Sequence, residues 1–274
     1  VSKANYIIVT EDSFESFKYP GGEIQVRLLP ETIEQLKSAG EVDILFRIKS
    51  SDDVMKLMLL EDAIDSCTPH IGSLSKGVIL PYLPYSRADR RFVEGDCLGK
   101  SVFLQVIGSG WKNIITLDCH SDKNSYGIQD ISVDNLVRDL LATIETETGE
   151  EINILFPDEG AKNRYSKIGE GYSVHFCQKK RDPVTGKFLG FEVPEFDKTK
   201  TTIIVDDICD GGGTFLGIAQ LLSAPKLRLY VTHGIFSKGF DELSKYFEKI
   251  YTTNSFSEHY DNPIVECLDI MRRF

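Results

Sequence analysis

Short runs dense in β-branched and aromatic residues alternate along the chain with longer stretches in which apolar residues recur every three or four positions. The short runs are YIIV at 6–9, VDILFRI at 42–48, GVIL at 77–80, NIIT at 113–116, INILF at 152–156, TTIIV at 201–205 and RLYV at 228–231. Continuous apolar runs of this length suit strands covered on both faces, and the amphipathic stretches between them suit crossover helices. Helices are predicted over 52–67, 98–109, 134–146, 214–223 and 238–248. In the first, Val54, Leu57, Met58, Ala63 and Ile64 line one face, as packing on a sheet requires. The rhythm predicts an α/β protein with mainly parallel sheets.

That rhythm restarts after the polar stretch ETETGEE, which predicts two similar halves, 1–148 and 149–274. Residues 181–198, RDPVTGKFLGFEVPEFDK, break it with a Pro and Thr-Gly turn signal followed by alternating apolar positions. This pattern predicts a β-hairpin projecting from the second half.

With 274 residues, 41% of them hydrophobic and 27% charged, the chain has enough core-forming side chains for one large core or two modest ones. A formal net charge of -11 argues against a nucleic-acid partner, and any anion must be bound by locally arranged residues. No segment approaches the ~20 apolar residues of a membrane span, and residues 1–20 do not read as a basic leader and apolar run. Cys67, Cys97, Cys119, Cys177, Cys209 and Cys267 form no CxxC pair, which fits a reducing compartment. The expectation is a cytoplasmic protein without a membrane or nucleic-acid partner.

The segment richest in candidate chemistry is IIVDDICDGGGTF at 203–215. It reads as a buried strand, then Asp206, Asp207 and Asp210, then Gly211, Gly212, Gly213 and Thr214 opening a helix. Ligands of open parallel sheets bind where strands end. Glycines let successive backbone N–H groups turn toward an anion, and a helix start adds unpaired donors. Asp206 and Asp207 are suited to sugar hydroxyls or a hydrated cation.

This segment resembles the ribose-phosphate loop of the phosphoribosyltransferases, and the chain as a whole resembles the ribose-phosphate pyrophosphokinase family. The resemblance runs through YPGGE (19–23), LPYLPYSRADRR (80–91), LDCHS (117–121), DISVDNL (130–136), FPDEGAKNR (156–164), QKKRD (178–182) and VTHGIFSKG (231–239). It implies two phosphoribosyltransferase-like domains, a homo-oligomer with an ATP site shared between subunits, and a Mg2+ cofactor. Matched residue by residue, it assigns His120 and Asp158 to the metal and His120, Arg87, Arg90 and Glu23 to ATP. Lys179 and Arg181, with Lys180 between them, match the cations of a catalytic flap, and Asp206 to Thr214 match the ribose-phosphate site. The implied reaction moves the terminal diphosphate of ATP onto the C1 hydroxyl of a 5-phosphorylated ribose.

Three positions depart from the family pattern. Ala88 stands where Gln follows the ATP-contacting arginine, Gly21 replaces an acidic or amide residue, and Gly211 replaces a threonine whose hydroxyl binds the 5-phosphate. Losing that hydroxyl vacates space through which an acceptor such as ADP-ribose could continue. The flap and loop together also look like a subgroup tied to the rebuilding of NAD, so ribose 5-phosphate and ADP-ribose both stand as acceptors. A catalytically silent partner subunit and a phosphoribosyltransferase remain the alternative readings.

Overall fold

A computed structural model describes residues 5–68, 74–108, 110–121, 127–182 and 188–274. The chain divides into two compact units, residues 1–131 with Phe274 and residues 132–273.

The first unit is built on five parallel strands. In chain order they are β1 (Asn5–Val9), β4 (Ala39–Leu45), β5 (Ser75–Leu80), β6 (Asn113–Leu117) and β7 (Ile128–Ile131), and they lie side by side in that order. Two further strands, β2 (Phe14–Lys18) and β3 (Ile24–Leu28), form an antiparallel hairpin. The helices are α1 (Pro30–Leu36), α2 (Ser51–Cys67) and α3 (Gly99–Ile107). Ser50 caps α2 by accepting from the Asp53 N–H at 3.3 Å, while the Asp53 carboxylate accepts from the Ser50 hydroxyl at 2.8 Å. Leu57, Leu60 and Ile64 of α2 are fully buried and share one core with Val42, Ile44 and Val78 of the sheet, with Val54, Met58 and Ala63 packed against that core.

The second unit holds six parallel strands in the order β15-β14-β13-β12-β8-β9. These are β8 (Asn153–Phe156), β9 (Ser173–Phe176), β12 (Thr202–Cys209), β13 (Leu227–Gly234), β14 (Lys249–Thr253) and β15 (Val265–Leu268). Its helices are α4 (Asp134–Thr148), α5 (Glu159–Arg164) and α6 (Gly213–Leu222). The strands β10 (Gln178–Arg181) and β11 (Phe188–Glu192) pair antiparallel as the expected hairpin, whose 183–187 tip lies outside the described residues. Gly149 ends α4 in the left-handed region at φ 68°, where a side chain would be strained. Leu155, Ile204, Leu229 and Val231 form the core under Phe215, Ile218 and Leu222 of α6.

Three expectations differ from what is observed. The division falls between Ile131 and Ser132, so α4 goes with the second unit instead of closing the first. The polar stretch after 144 is simply the exposed end of that helix and its Gly149 cap. The helix expected over 238–248 is absent: Gly239 adopts φ 69° and only a 3-10 turn forms, at Leu243–Lys245. Leu243 and Phe247 still point inward, so the apolar spacing reflects core anchoring of an irregular connection. The strand expected over 42–48 ends at Leu45, although Phe46 and Ile48 stay buried.

Leu229 is completely buried at the centre of the second unit. Leu229→Ala is expected to lower unfolding free energy by about 2–5 kcal/mol, measured by urea denaturation followed by circular dichroism.

Candidate active site

The C-terminal ends of β8, β12 and β13 share one edge of the second unit's sheet, and the acids of the sequence motif are gathered there. Side chains alternate along β12, so Asp206 and Asp207 point to opposite faces. Asp207 is buried and pairs with Arg164 of α5 at 3.6 Å. Asp206 accepts from the Asp207 backbone N–H at 3.0 Å. Burial, reinforced by the charges of Asp207 and Asp158, pushes the Asp206 carboxyl well above the usual carboxylate range.

Past β12 the chain turns through Asp210, Gly211 and Gly212 into α6. Gly212 takes φ 75° as the residue before the helix, and its carbonyl accepts the first helical bond from Leu216 at 2.9 Å. The N–H groups of the first turn therefore face outward from the strand end, as an anion cradle needs. Cys177 and Cys209 lie beneath this edge, and burial pushes both thiols up to about 12. Neither is a thiolate at neutral pH.

Asp158 follows β8 and caps α5 by accepting from the Ala161 N–H at 2.9 Å, while its other oxygen accepts from Lys179 Nζ at 2.6 Å. Burial alone would raise this carboxyl, but the Lys179 ammonium and the backbone N–H groups outweigh it and hold it below the ordinary value. Asp158, Gly160, Cys177, Gln178 and Lys179 line a cavity of ≈ 620 Å³. Lys179 stands opposite Phe191 in the hairpin register, and Phe191 packs on α6 where a Cβ at Gly217 would lie 3.2 Å from its ring. Gly217 thus lets the hairpin base seat on the helix and fixes where Lys179 emerges. Lys180 turns to Glu192 at 3.3 Å. Arg181 pairs with Phe188 through the backbone, and its side chain lies outside what is described.

The remaining expected residues belong to the first unit. His120 follows β6 on a turn held by two bonds, Asp118 N–H to the Ile131 carbonyl at 3.0 Å and Cys119 N–H to Asp130 at 2.8 Å. Arg87 and Arg90 are exposed, and Arg90 forks onto Asp89 at 3.0 and 3.3 Å. The Arg90 bond is the main cause holding the Asp89 carboxyl low, with the charge of His120 adding to it. Glu23 lies exposed at the base of the β2–β3 turn, where its carbonyl accepts from the Tyr19 N–H at 2.8 Å.

Sequence reasoning missed Arg164, Asp89 and Lys238. Arg164 pairs with Asp207, distant in sequence, and Asp89 with its neighbour Arg90. Lys238 leaves β13 and lays its methylene stem along Gly211, so the space expected to be vacant there is filled.

No family-wide profile matches the chain. A phosphoribosylpyrophosphate synthetase from Mycobacterium smegmatis superposes with a TM-score of 0.80 over 97% of this chain and 95% of that one, at 20% identity. The chain therefore has the α/β fold of that synthetase, with mainly parallel sheets. The ribose-phosphate pyrophosphokinase of Pyrococcus abyssi is 26% identical over 243 residues, 87% of this chain and 82% of that protein. That of Pyrococcus furiosus is 28% identical over 248 residues, 87% and 84% of the two chains. That of Saccharolobus solfataricus is 30% identical over 173 residues, 61% and 58%. The chain is a relative of the ribose-phosphate pyrophosphokinases and an enzyme of that type.

A carboxyl whose folded pKa is raised costs stability once it ionises, so the cost is absent below the unfolded pKa and complete above the folded one. Asp206→Asn removes it. At neutral pH the ligand-free variant is expected to melt ~3 °C higher than the parent, the shift that about 1 kcal/mol produces at this chain length. The difference should vanish as pH falls below about 4, a dependence read by calorimetry across pH.

Proposed function

We propose that the chain transfers the β,γ-diphosphate of ATP to the C1 hydroxyl of a 5-phosphorylated ribose and releases AMP. The observation that carries this reading is the meeting, at one strand edge, of an acidic pair, a glycine loop opening a helix and a lysine held on a hairpin. The names borne by the relatives, ribose-phosphate pyrophosphokinases, support the same chemistry.

In the proposed reaction the C1 oxygen attacks the β-phosphorus of ATP in line. The new C1–O–P bond forms as the bond from that phosphorus to the bridging α,β oxygen breaks, AMP departs with the electron pair, and the hydroxyl proton is released. Such a transition state needs positioning and charge stabilisation more than covalent help. Asp206 and Asp207 orient the ribose hydroxyls, and the 210–214 loop holds the 5-phosphate. Lys179 leaves Asp158 for the transferring phosphoryl oxygens, with Arg181 beside it on the hairpin. His120, Arg87 and Arg90 serve the nucleotide.

Asp158 and His120 are the donors proposed for Mg2+. Among the described residues no three His, Cys, Asp or Glu side chains cluster to cage a metal. Asp158 in the second unit and His120 in the first would each offer a single donor to an ion held mainly by water and the ATP phosphates, whose charge it would neutralise.

Two acceptors fit this reading. The relatives' name favours ribose 5-phosphate. The missing hydroxyl at Gly211 favours ADP-ribose, whose 5-phosphate is esterified, and its product would serve the rebuilding of NAD. Exposed Glu23 is proposed to reach the nucleotide of a second subunit.

With ATP, magnesium and each acceptor, AMP release is expected from the parent. Absence of AMP with both acceptors would favour a silent subunit or a phosphoribosyltransferase. A tenfold preference in kcat/KM for ribose 5-phosphate would eliminate ADP-ribose. Lys179→Ala is expected to bind ATP nearly normally and lose about 10²–10³ in kcat; near-parental turnover removes the hairpin from the mechanism. Light scattering of the active protein should give at least a dimer, and Glu23→Ala should weaken ATP use without dissociating it. A fully active monomer excludes the shared site.

A further inference from the structure

The 210–214 loop contains no cation of its own, begins with Asp210 and follows Asp206 and Asp207. The basic groups that meet the acids of this edge are engaged, Arg164 by Asp207 at 3.6 Å and Lys179 by Asp158 at 2.6 Å. An anion placed on this loop would meet outward N–H groups together with an adverse carboxylate field. It needs a positive charge from elsewhere.

Lys238 stands in the right place. A Cβ built at Gly211 would lie 3.3, 3.5 and 3.7 Å from the Cε, Cδ and Cγ of Lys238. The turn carrying it is tied to the loop strand: the N–H groups of Ile235 and Phe236 donate to the Cys209 carbonyl at 2.9 and 3.1 Å, and the Ser237 N–H donates to the Asp210 carbonyl at 3.2 Å. Phe236 is buried in the left-handed region at φ 48°, packed against Phe240 and Tyr260 with ring centroids 4.7 and 5.6 Å away. Lys238 is exposed. A threonine at 211 would push the stem aside.

We infer that Lys238 binds the 5-phosphoryl group of the acceptor, and that Gly211 is glycine because the Lys238 stem needs its space. The positive charge takes over at this loop the part that a hydroxyl at 211 would play. Terminal and esterified 5-phosphoryl groups both present anionic oxygen to it. The inference rests on the proposed reading of the 210–214 loop as the acceptor-phosphate site.

Lys238→Met keeps the stem and removes the charge. It is expected to raise the acceptor KM about tenfold or more, the worth of one hydrogen bond to a charged group, while the KM for ATP stays within about twofold. Gly211→Thr should weaken the same acceptor, and the double variant should be no worse than the poorer single one, because both changes remove one contact. Loss with both acceptors identifies the phosphoryl group they share, and loss confined to ribose 5-phosphate identifies its terminal dianion. An acceptor KM within twofold of the parent in Lys238→Met, or fully multiplicative losses in the double variant, overturns the inference. Calorimetric titration of ribose 5-phosphate without ATP separates it from the reaction proposed above. Lys238-dependent binding in a protein that releases no AMP keeps the inference and sinks that reaction. AMP release indifferent to Lys238 does the reverse, and no binding with no AMP release overturns both.

Discussion

The parallel pairing of β12 with β8 on one side and β13 on the other fixes where the acids and the glycine loop of the second unit's sheet edge stand. Thr202 stands opposite Asn153 and Leu227, and the pairing with β13 continues to Cys209 opposite Gly234. Since β8 stops at Phe156, Asp158 emerges at the level of Asp206 and Asp207, just before β12 ends at Cys209. Because β13 runs to Gly234, the turn holding Lys238 comes back against Gly211. A slip of one residue would exchange the faces of Asp206 and Asp207 and bury the wrong carboxylate.

That edge concentrates negative charge in a protein that is already acidic. Each buried or half-buried acid is met by a specific partner: Arg164 for Asp207, Lys179 for Asp158, a backbone N–H for Asp206. The partners differ in kind. Arg164 comes from a helix of the second unit, whereas Lys179 rides on a hairpin seated through Phe191 on α6. The first unit repeats the device with Arg90 and Asp89.

Much of this was legible in the sequence because it depends on local spacing. Apolar runs marked seven of the parallel strands, Pro and Thr-Gly marked the hairpin, and three aspartates followed by three glycines marked the strand-to-helix loop. Strands β7, β9 and β15 escaped because they are four residues long with mixed or marginal burial, and β14 because its buried run KIYTT carries one lysine and two threonines and does not read as apolar. The helix expected at 238–248 failed because Leu243 and Phe247 carry helical spacing for a reason of long-range packing, while Gly239 turns the chain out of helix. Lys238 and Gly211 are distant in sequence and meet through the β12–β13 register. A glycine read alone looks like vacant space; only the fold shows that another residue's side chain occupies it.

The raised carboxyl of Asp206 also bears on how the protein behaves between catalytic events. A pocket whose unliganded acids repel one another makes the folded state easier to lose when nothing is bound, and cations or cation-carrying metabolites that shield those acids restore it by mass action. Resistance to proteolysis then becomes a readout of occupancy, because cleavage of transiently opened chains follows the population of the open form. On that coupling, an ion or ligand held at this edge would lengthen the time the folded chain resists cleavage.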